Sequence, residues 1–289
     1  MESVFIAGCG DIGLRVARLW RARGLPVSAL ARSGTGVLCL RTAGIVAMAG
    51  NLDLPVSLRG LRLEDQLVYY FAPPPATGEG DPRVEAFIEA LALAGRPSRI
   101  VYISTSGVYG DCGGARVDEN TPVAPRTARA RRRLAAEEHL RAYGRAHGVP
   151  VIVLRVAGIY GPGRLPVDRL REGLPVLRPE EALPSNHIHV DDLVTACMAA
   201  AEHGRADGIY NISDGQDGTM TDYFFAVADA LGLPRPPTVS LAEARTVLSP
   251  TMLSYLTESR RLDNRRMREE LGVVLQYPDL ATGLRGLTG

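Results

Sequence analysis

Two short stretches carry residues able to do chemistry, and they imply different chemistries. Gly8-Cys9-Gly10-Asp11-Ile12-Gly13 sets three glycines at the spacing that brings a backbone turn close to a diphosphate, whose charge a helix N-terminus then stabilises. That reading requires a strand before the turn and a helix after it. SVFIAG (3–8) has the apolar run of a buried strand, and IGLRVARLWRARG (12–24) turns Leu14, Val16, Ala17 and Trp20 to one helix face. The turn is therefore expected to hold a dinucleotide, through Gly8, Gly10, Asp11, Ile12 and Gly13. About twenty residues on, the end of the second strand distinguishes the two nicotinamide cofactors. An NAD site carries a carboxylate there to accept from the ribose hydroxyls. This chain has Ala31, Arg32 and Ser33 instead. A guanidinium and a hydroxyl suit a 2′-phosphate, so NADP(H) is favoured over NAD(H).

The second stretch is Arg126-Thr127-Ala128-Arg129-Ala130-Arg131-Arg132-Arg133, five arginines in eight positions of a chain with a formal net charge of only +1. The run is short, has no interleaved aromatics and sits in a nearly neutral protein, which argues against nucleic-acid binding. All 33 basic residues are arginine and none is lysine, so arginine at a single position carries less information than usual. The four cysteines form no CxxC pair, which excludes the usual zinc and redox spacings and leaves reduced thiols as the default. No metal site is expected. No apolar stretch approaches the roughly 18 residues of a membrane span, and the N-terminus has no secretory pattern. A cytoplasmic protein with no membrane partner is the expectation.

The elements that must position these residues alternate. Strands are expected at 26–32, 44–48, 66–75, 98–105 and 149–158, and helices at 82–95 and 127–148. Such alternation implies right-handed βαβ units and a doubly wound parallel sheet. Residues 1–160 are expected to form the nucleotide-binding domain, with parts of 185–215 completing its sheet. Residues 161–289 are expected to form a smaller, interleaved substrate-binding portion.

With these segments in place the chain resembles an extended short-chain dehydrogenase/reductase of the NAD(P)-dependent epimerase/dehydratase family. The resemblance rests on GCGDIG (8–13), GNLD (50–53), YISTSGVYGD (102–111), VDENTP (117–122), LRVAGIYGPGR (154–164), NHIHVDDL (186–193) and YNISDG (210–215). It implies that Asn51 and Leu52 sit near the adenine and that Ala72 and Pro73 line the nicotinamide side of the cleft. It also implies that Ala157 to Ile159 approach the nicotinamide, while Tyr160, Arg164, Asn186 and His187 border a small-molecule substrate. Family members dimerise through the helix carrying a YxxxK motif; an arginine-loaded helix leaves the oligomeric state open.

The family's acid/base is the tyrosine of that YxxxK, assisted by a hydroxyl after the fifth strand, for which Thr105 is the match. In the tyrosine and lysine positions this chain has Arg129 and Arg133, the latter expected near the cofactor ribose and paired with Glu137 one turn on. Arginine cannot shuttle a proton at neutral pH, so the usual acid is absent. Arg126, Arg131 and Arg132 are expected in solvent. Ser106-Gly107 stand where sugar-nucleotide dehydratases have an Asp-Glu pair, which argues against a dehydratase. Tyr109 is a candidate substitute acid, His187 a weaker one, and Asp191 or Asp192 an expected helix N-cap. Two functions remain open: an NADP(H)-dependent oxidoreductase or epimerase-like protein acting on a small oxygenated substrate, a sugar nucleotide among the candidates, and a non-catalytic NADP(H)-binding sensor.

Overall fold

The computed structural model describes residues 2–285. Seven parallel strands form the central sheet: β1 (Val4–Ala7), β2 (Val27–Ala31), β3 (Val46–Ala49), β4 (Leu67–Tyr70), β5 (Arg99–Thr105), β6 (Val151–Val156) and β7 (Ile209–Ile212). Their spatial order is β7-β6-β5-β4-β1-β2-β3. The order reverses between β1 and β4, and in such sheets ligands bind in the crevice beyond the C-terminal strand ends at that reversal.

Helices cover both faces, so the central strands are apolar on both sides, as parallel strands must be. Val4, Ile6, Val101 and Leu154 point into one core with α1 (Asp11–Ala22) and the helix Val190–His203. Phe5, Ala7, Tyr102 and Val153 point into the other, against α3 (Pro82–Ala94) and α4 (Ala128–His147). Side chains alternate faces along a strand, so neighbouring residues serve different cores. In the first core Trp20 Nε1 donates to Tyr69 Oη at 2.9 Å.

The two helices over the second core have legible ends. Asp81 caps α3, accepting from the Arg83 and Val84 amides, with Pro82 at the first helical position. Thr127 caps α4, and Gly148 closes it at φ 67°. Within the first 160 residues one α-helix was not foreseen: α2 (Gly34–Thr42), capped by Ser33, follows β2 directly. Beyond residue 160 the chain is mostly short elements, and it supplies the edge strand β7. Among the described residues no helix is long and apolar enough to cross a membrane.

Candidate active site

The glycine turn bends tightly from β1 into α1. Gly8 has φ 90°, and a Cβ there would lie 2.3 Å from the Ala72 nitrogen, so the close passage of Ala72 requires glycine. At Gly10, by contrast, an added Cβ would meet nothing within 4 Å, which leaves open space above the start of α1. That helix begins without a side-chain cap. An open cradle beside uncapped helix amides fits a diphosphate, and the residues present thus fit a dinucleotide.

Around this cradle, Arg32 is exposed after β2, and the Ser33 hydroxyl accepts from the Gly36 amide at 3.2 Å. The Asn51 side chain is turned inward on its own loop, where Oδ1 accepts from the Asp53 amide at 3.0 Å. Leu52 is buried in the α3 core. A two-pronged Arg83–Asp53 pair (2.6 and 2.8 Å), with Arg83 also donating to the Pro73 carbonyl at 2.9 Å, ties the Asn51 and Pro73 loops together.

Asp11, at the start of α1, pairs with Arg15 (2.9 Å) and Arg164 (2.8 Å). Partial burial raises its carboxyl pKa, but the two guanidiniums outweigh that and hold it below the usual carboxylate range. Arg164 thereby links the glycine turn to the wall of a neighbouring cavity of about 570 Å³. This cavity lies at the C-terminal ends of β5 and β6. It gathers Thr105, Arg129, Arg133, Arg164, Asn186 and His187 from the expected site, and adds Arg260, which sequence reasoning did not single out.

Thr105 Oγ1 accepts from the Gly107 amide at 3.1 Å, so its own proton remains available. Arg133 donates to the Ile103 carbonyl at 2.9 Å. Arg129 stacks over the Tyr255 ring (4.2 Å to its centroid) and donates to Ser254 Oγ at 3.3 Å. Arg260 is 7% exposed and donates to the Ser106 carbonyl at 2.9 Å. Asn186 fixes it in place: Nδ2 donates to the Arg260 carbonyl, and Oδ1 accepts from the Leu262 amide, both at 2.8 Å. His187 stacks on Tyr223 with ring centroids 4.6 Å apart. Burial pushes its pKa down to about 4, so it is a neutral imidazole at physiological pH.

Several expectations require correction. Tyr109 is 1% exposed, donates to Asn211 Oδ1 at 2.8 Å and lies under the Arg155 guanidinium. It is a core residue, out of reach of the cavity. Tyr160 is fully buried and donates to the Asp279 carbonyl at 3.3 Å, so it braces the C-terminal segment and touches no substrate space. Glu137 pairs with Arg155 at 2.8 Å, not with Arg133, because both ends of that pair are buried while Arg133 faces the cavity. The helix cap at Val190 is the His189 side chain. Asp191 pairs with Arg15, and Asp192 accepts from the Gln276 and Tyr277 amides. The arginine run splits accordingly. Arg126 and Arg131 are exposed and paired with Asp111 and Glu79, but Arg132 is buried, donating to the Gly78 carbonyl at 2.6 Å.

A doubly wound sheet, a glycine cradle at its reversal and a hydroxyl-and-arginine cavity beside it define a nicotinamide-dinucleotide-binding protein of the short-chain dehydrogenase type. Residues 84–213 match the NAD dependent epimerase/dehydratase family. Over 290 aligned positions the chain is 30% identical to Protein YeeZ of Escherichia coli (strain K12), covering 96% of this chain and 97% of that one. A functionally unknown conserved protein from Silicibacter pomeroyi DSS superposes with a TM-score of 0.83 at 30% identity, over 99% of this chain and 98% of that one. DesIV, a dTDP-glucose 4,6-dehydratase from Streptomyces venezuelae solved with NAD and TYD bound, shares the fold at a TM-score of 0.80 and 22% identity, over 99% and 95% of the two chains. The chain belongs to the NAD dependent epimerase/dehydratase family.

Proposed function

We propose that the protein is an NADP(H)-dependent oxidoreductase acting on a small oxygenated substrate, without the tyrosine acid of its family. The observation that carries this reading is the free Thr105 proton in a cavity that adjoins the glycine cradle. When bound, the nicotinamide would accept a hydride from, or return one to, the substrate's oxygen-bearing carbon. Thr105 would donate to the substrate oxygen and fix which carbon faces the cofactor. Arg133, held by the Ile103 carbonyl, would donate to the cofactor ribose. Arg32 and Ser33 would recognise a 2′-phosphate at the start of α2.

None of the candidate side chains stores a transferable proton at neutral pH. Arg129 is permanently charged, His187 is neutral with a weakly basic ring, and Tyr109 is sealed in the core. The alcohol proton therefore exchanges with water, while alignment of the reactants supplies the rate. The same absence favours the second reading, a non-catalytic NADP(H) sensor.

Calorimetric titration with NADPH and NADH separates the cofactors, and Arg32→Ala should reduce a preference for NADPH by about tenfold or more. If neither nucleotide binds, both readings fail. Nicotinamide absorbance with candidate alcohols and ketones then separates enzyme from sensor, and Arg129→Tyr is expected to raise any turnover.

A further inference from the structure

Charge in the cavity is unbalanced. Four arginines line it (Arg129, Arg133, Arg164 and Arg260), and among the described residues Glu258 is the only carboxylate in its wall. Arg164 is neutralised by Asp11, and Glu258 lies 3.4 Å from Arg260. Arg129 and Arg133 have no carboxylate partner among the described residues; their bonds go to Ser254, Tyr102 and the Ile103 carbonyl. Arg260 is 7% exposed, and its Nε is buried with no hydrogen-bond partner. A buried guanidinium with an orphaned donor is unfavourable unless an acceptor completes it. Arg129 and Arg260 line the same cavity, and Arg129, acting as a like charge, adds to the burial that pushes the Arg260 pKa down.

The second cavity, of about 500 Å³ beside β7, shows the contrast. Arg141, Arg155, Arg205 and Arg266 line it, and each is paired with a carboxylate. Unpaired arginine thus separates the first cavity from the second, although Arg132 and Arg169 elsewhere in the chain also give their bonds to backbone carbonyls.

The far wall of the first cavity is apolar, built from Met220, Tyr223, Phe224 and Met252. The Tyr255 ring covers one face of the Arg129 guanidinium, leaving its N–H edge to donate. Edge donors from two guanidiniums suit a flat, two-oxygen acceptor.

We propose that this cavity binds the carboxylate of an organic acid between Arg129 and Arg260, with the acid's carbon skeleton on Met220, Tyr223 and Phe224. The proposal names the substrate class of the oxidoreductase reading and rests on that reading only for the adjacent cofactor. The carboxylate supplies the counter-charge that Arg129 lacks and places the neighbouring carbon beside Thr105.

The test is calorimetry on the full chain, with and without NADPH, using malonate, D-glucuronate and phenylpyruvate as probes. D-glucose and methyl phenylpyruvate are the neutral counterparts, and UDP is a diphosphate probe. At least one acid should bind, with about tenfold or greater loss on neutralisation and in Arg129→Gln, a change on the half-exposed face of α4 that leaves the core intact. The proposal is overturned if no acid binds while NADPH does, if the neutral counterparts bind equally well, if Arg129→Gln leaves acid affinity unchanged, or if UDP alone binds. Acid binding that survives a failure to bind NADPH removes the oxidoreductase reading and leaves the carboxylate site standing.

Discussion

Removing Glu137 should destabilise the protein severely, and removing its partner as well should restore most of the loss. Glu137 and Arg155 are 1% and 4% exposed, joined at 2.8 Å by Arg155 Nη2, with Nε also donating at 3.2 and 3.3 Å. Ser104 donates to the same carboxylate. In Glu137→Ala the Arg155 charge stays buried with no counter-charge, a loss of about 3–5 kcal/mol against the roughly 5–15 kcal/mol that holds a domain folded. With an unfolding entropy of about 2.1 cal/mol/K per residue, 289 residues give about 0.6 kcal/mol/K. The melting temperature should therefore fall by about 5 to 8 °C. In Glu137→Met/Arg155→Met both charges leave together, and stability should return to within about 1 kcal/mol of wild type or exceed it. Urea and thermal unfolding followed by circular dichroism measure all three proteins. A single-variant loss under about 1 kcal/mol, or a double variant no more stable than Glu137→Ala, would refute the reasoning.

Two further outcomes follow from groups near the site. Burial raises the Asp214 carboxyl from 3.8 to about 7, so the folded state holds a proton that the unfolded state releases. Its contribution is complete below about pH 4 and is lost as pH rises to about 7, worth up to about 4 kcal/mol. His187 works in the opposite direction: its folded pKa is depressed from 6.5 to about 4, so its contribution is present above about pH 6.5 and is lost on acidification towards pH 4. Asp214→Asn should therefore convert a partly cancelled profile into one that rises from pH 4 to 6.5; an unchanged profile of unfolding free energy against pH disproves the Asp214 assignment. Tyr109→Phe leaves Asn211 Oδ1 without its donor and should lower stability by about 1–3 kcal/mol without moving a pH–rate profile. A displaced profile would return Tyr109 to the chemistry.

The strands of the sheet and the longest helices could be read from apolar runs, capping residues and glycine stops, because each of those signals is local. Helix α2 could not, since Gly34 and Gly36 depress helix propensity and its face is mostly exposed. It forms because Ser33 caps it and β2 and β3 must be connected. The site was half legible. Thr105, Arg129 and Arg133 come from a strand end and a helix face whose spacing fixes where they lie. Arg260 gave no signal in SRRLDN, since only the Asn186 clamp from a distant segment turns it inward. One missed signal was available. Arg155 interrupts the apolar strand VIVLRV, which is buried on both faces, and a charge in such a place needs a partner. Tyr109 and Tyr160 were misplaced because motif position does not report which side of a strand end a ring occupies.

The source of the seventh strand bears on how the chain assembles. β6 ends at Val156, and its neighbour β7 starts at Ile209, so more than fifty residues must leave the ribosome before that edge of the sheet is covered. Until then β6 presents an apolar, unpaired ladder, a template on which a second nascent chain could pair. Refolding yield should consequently fall steeply with protein concentration. A fragment ending near residue 200 should aggregate even though it contains the whole glycine cradle, both core faces of the first five strands and the entire arginine run.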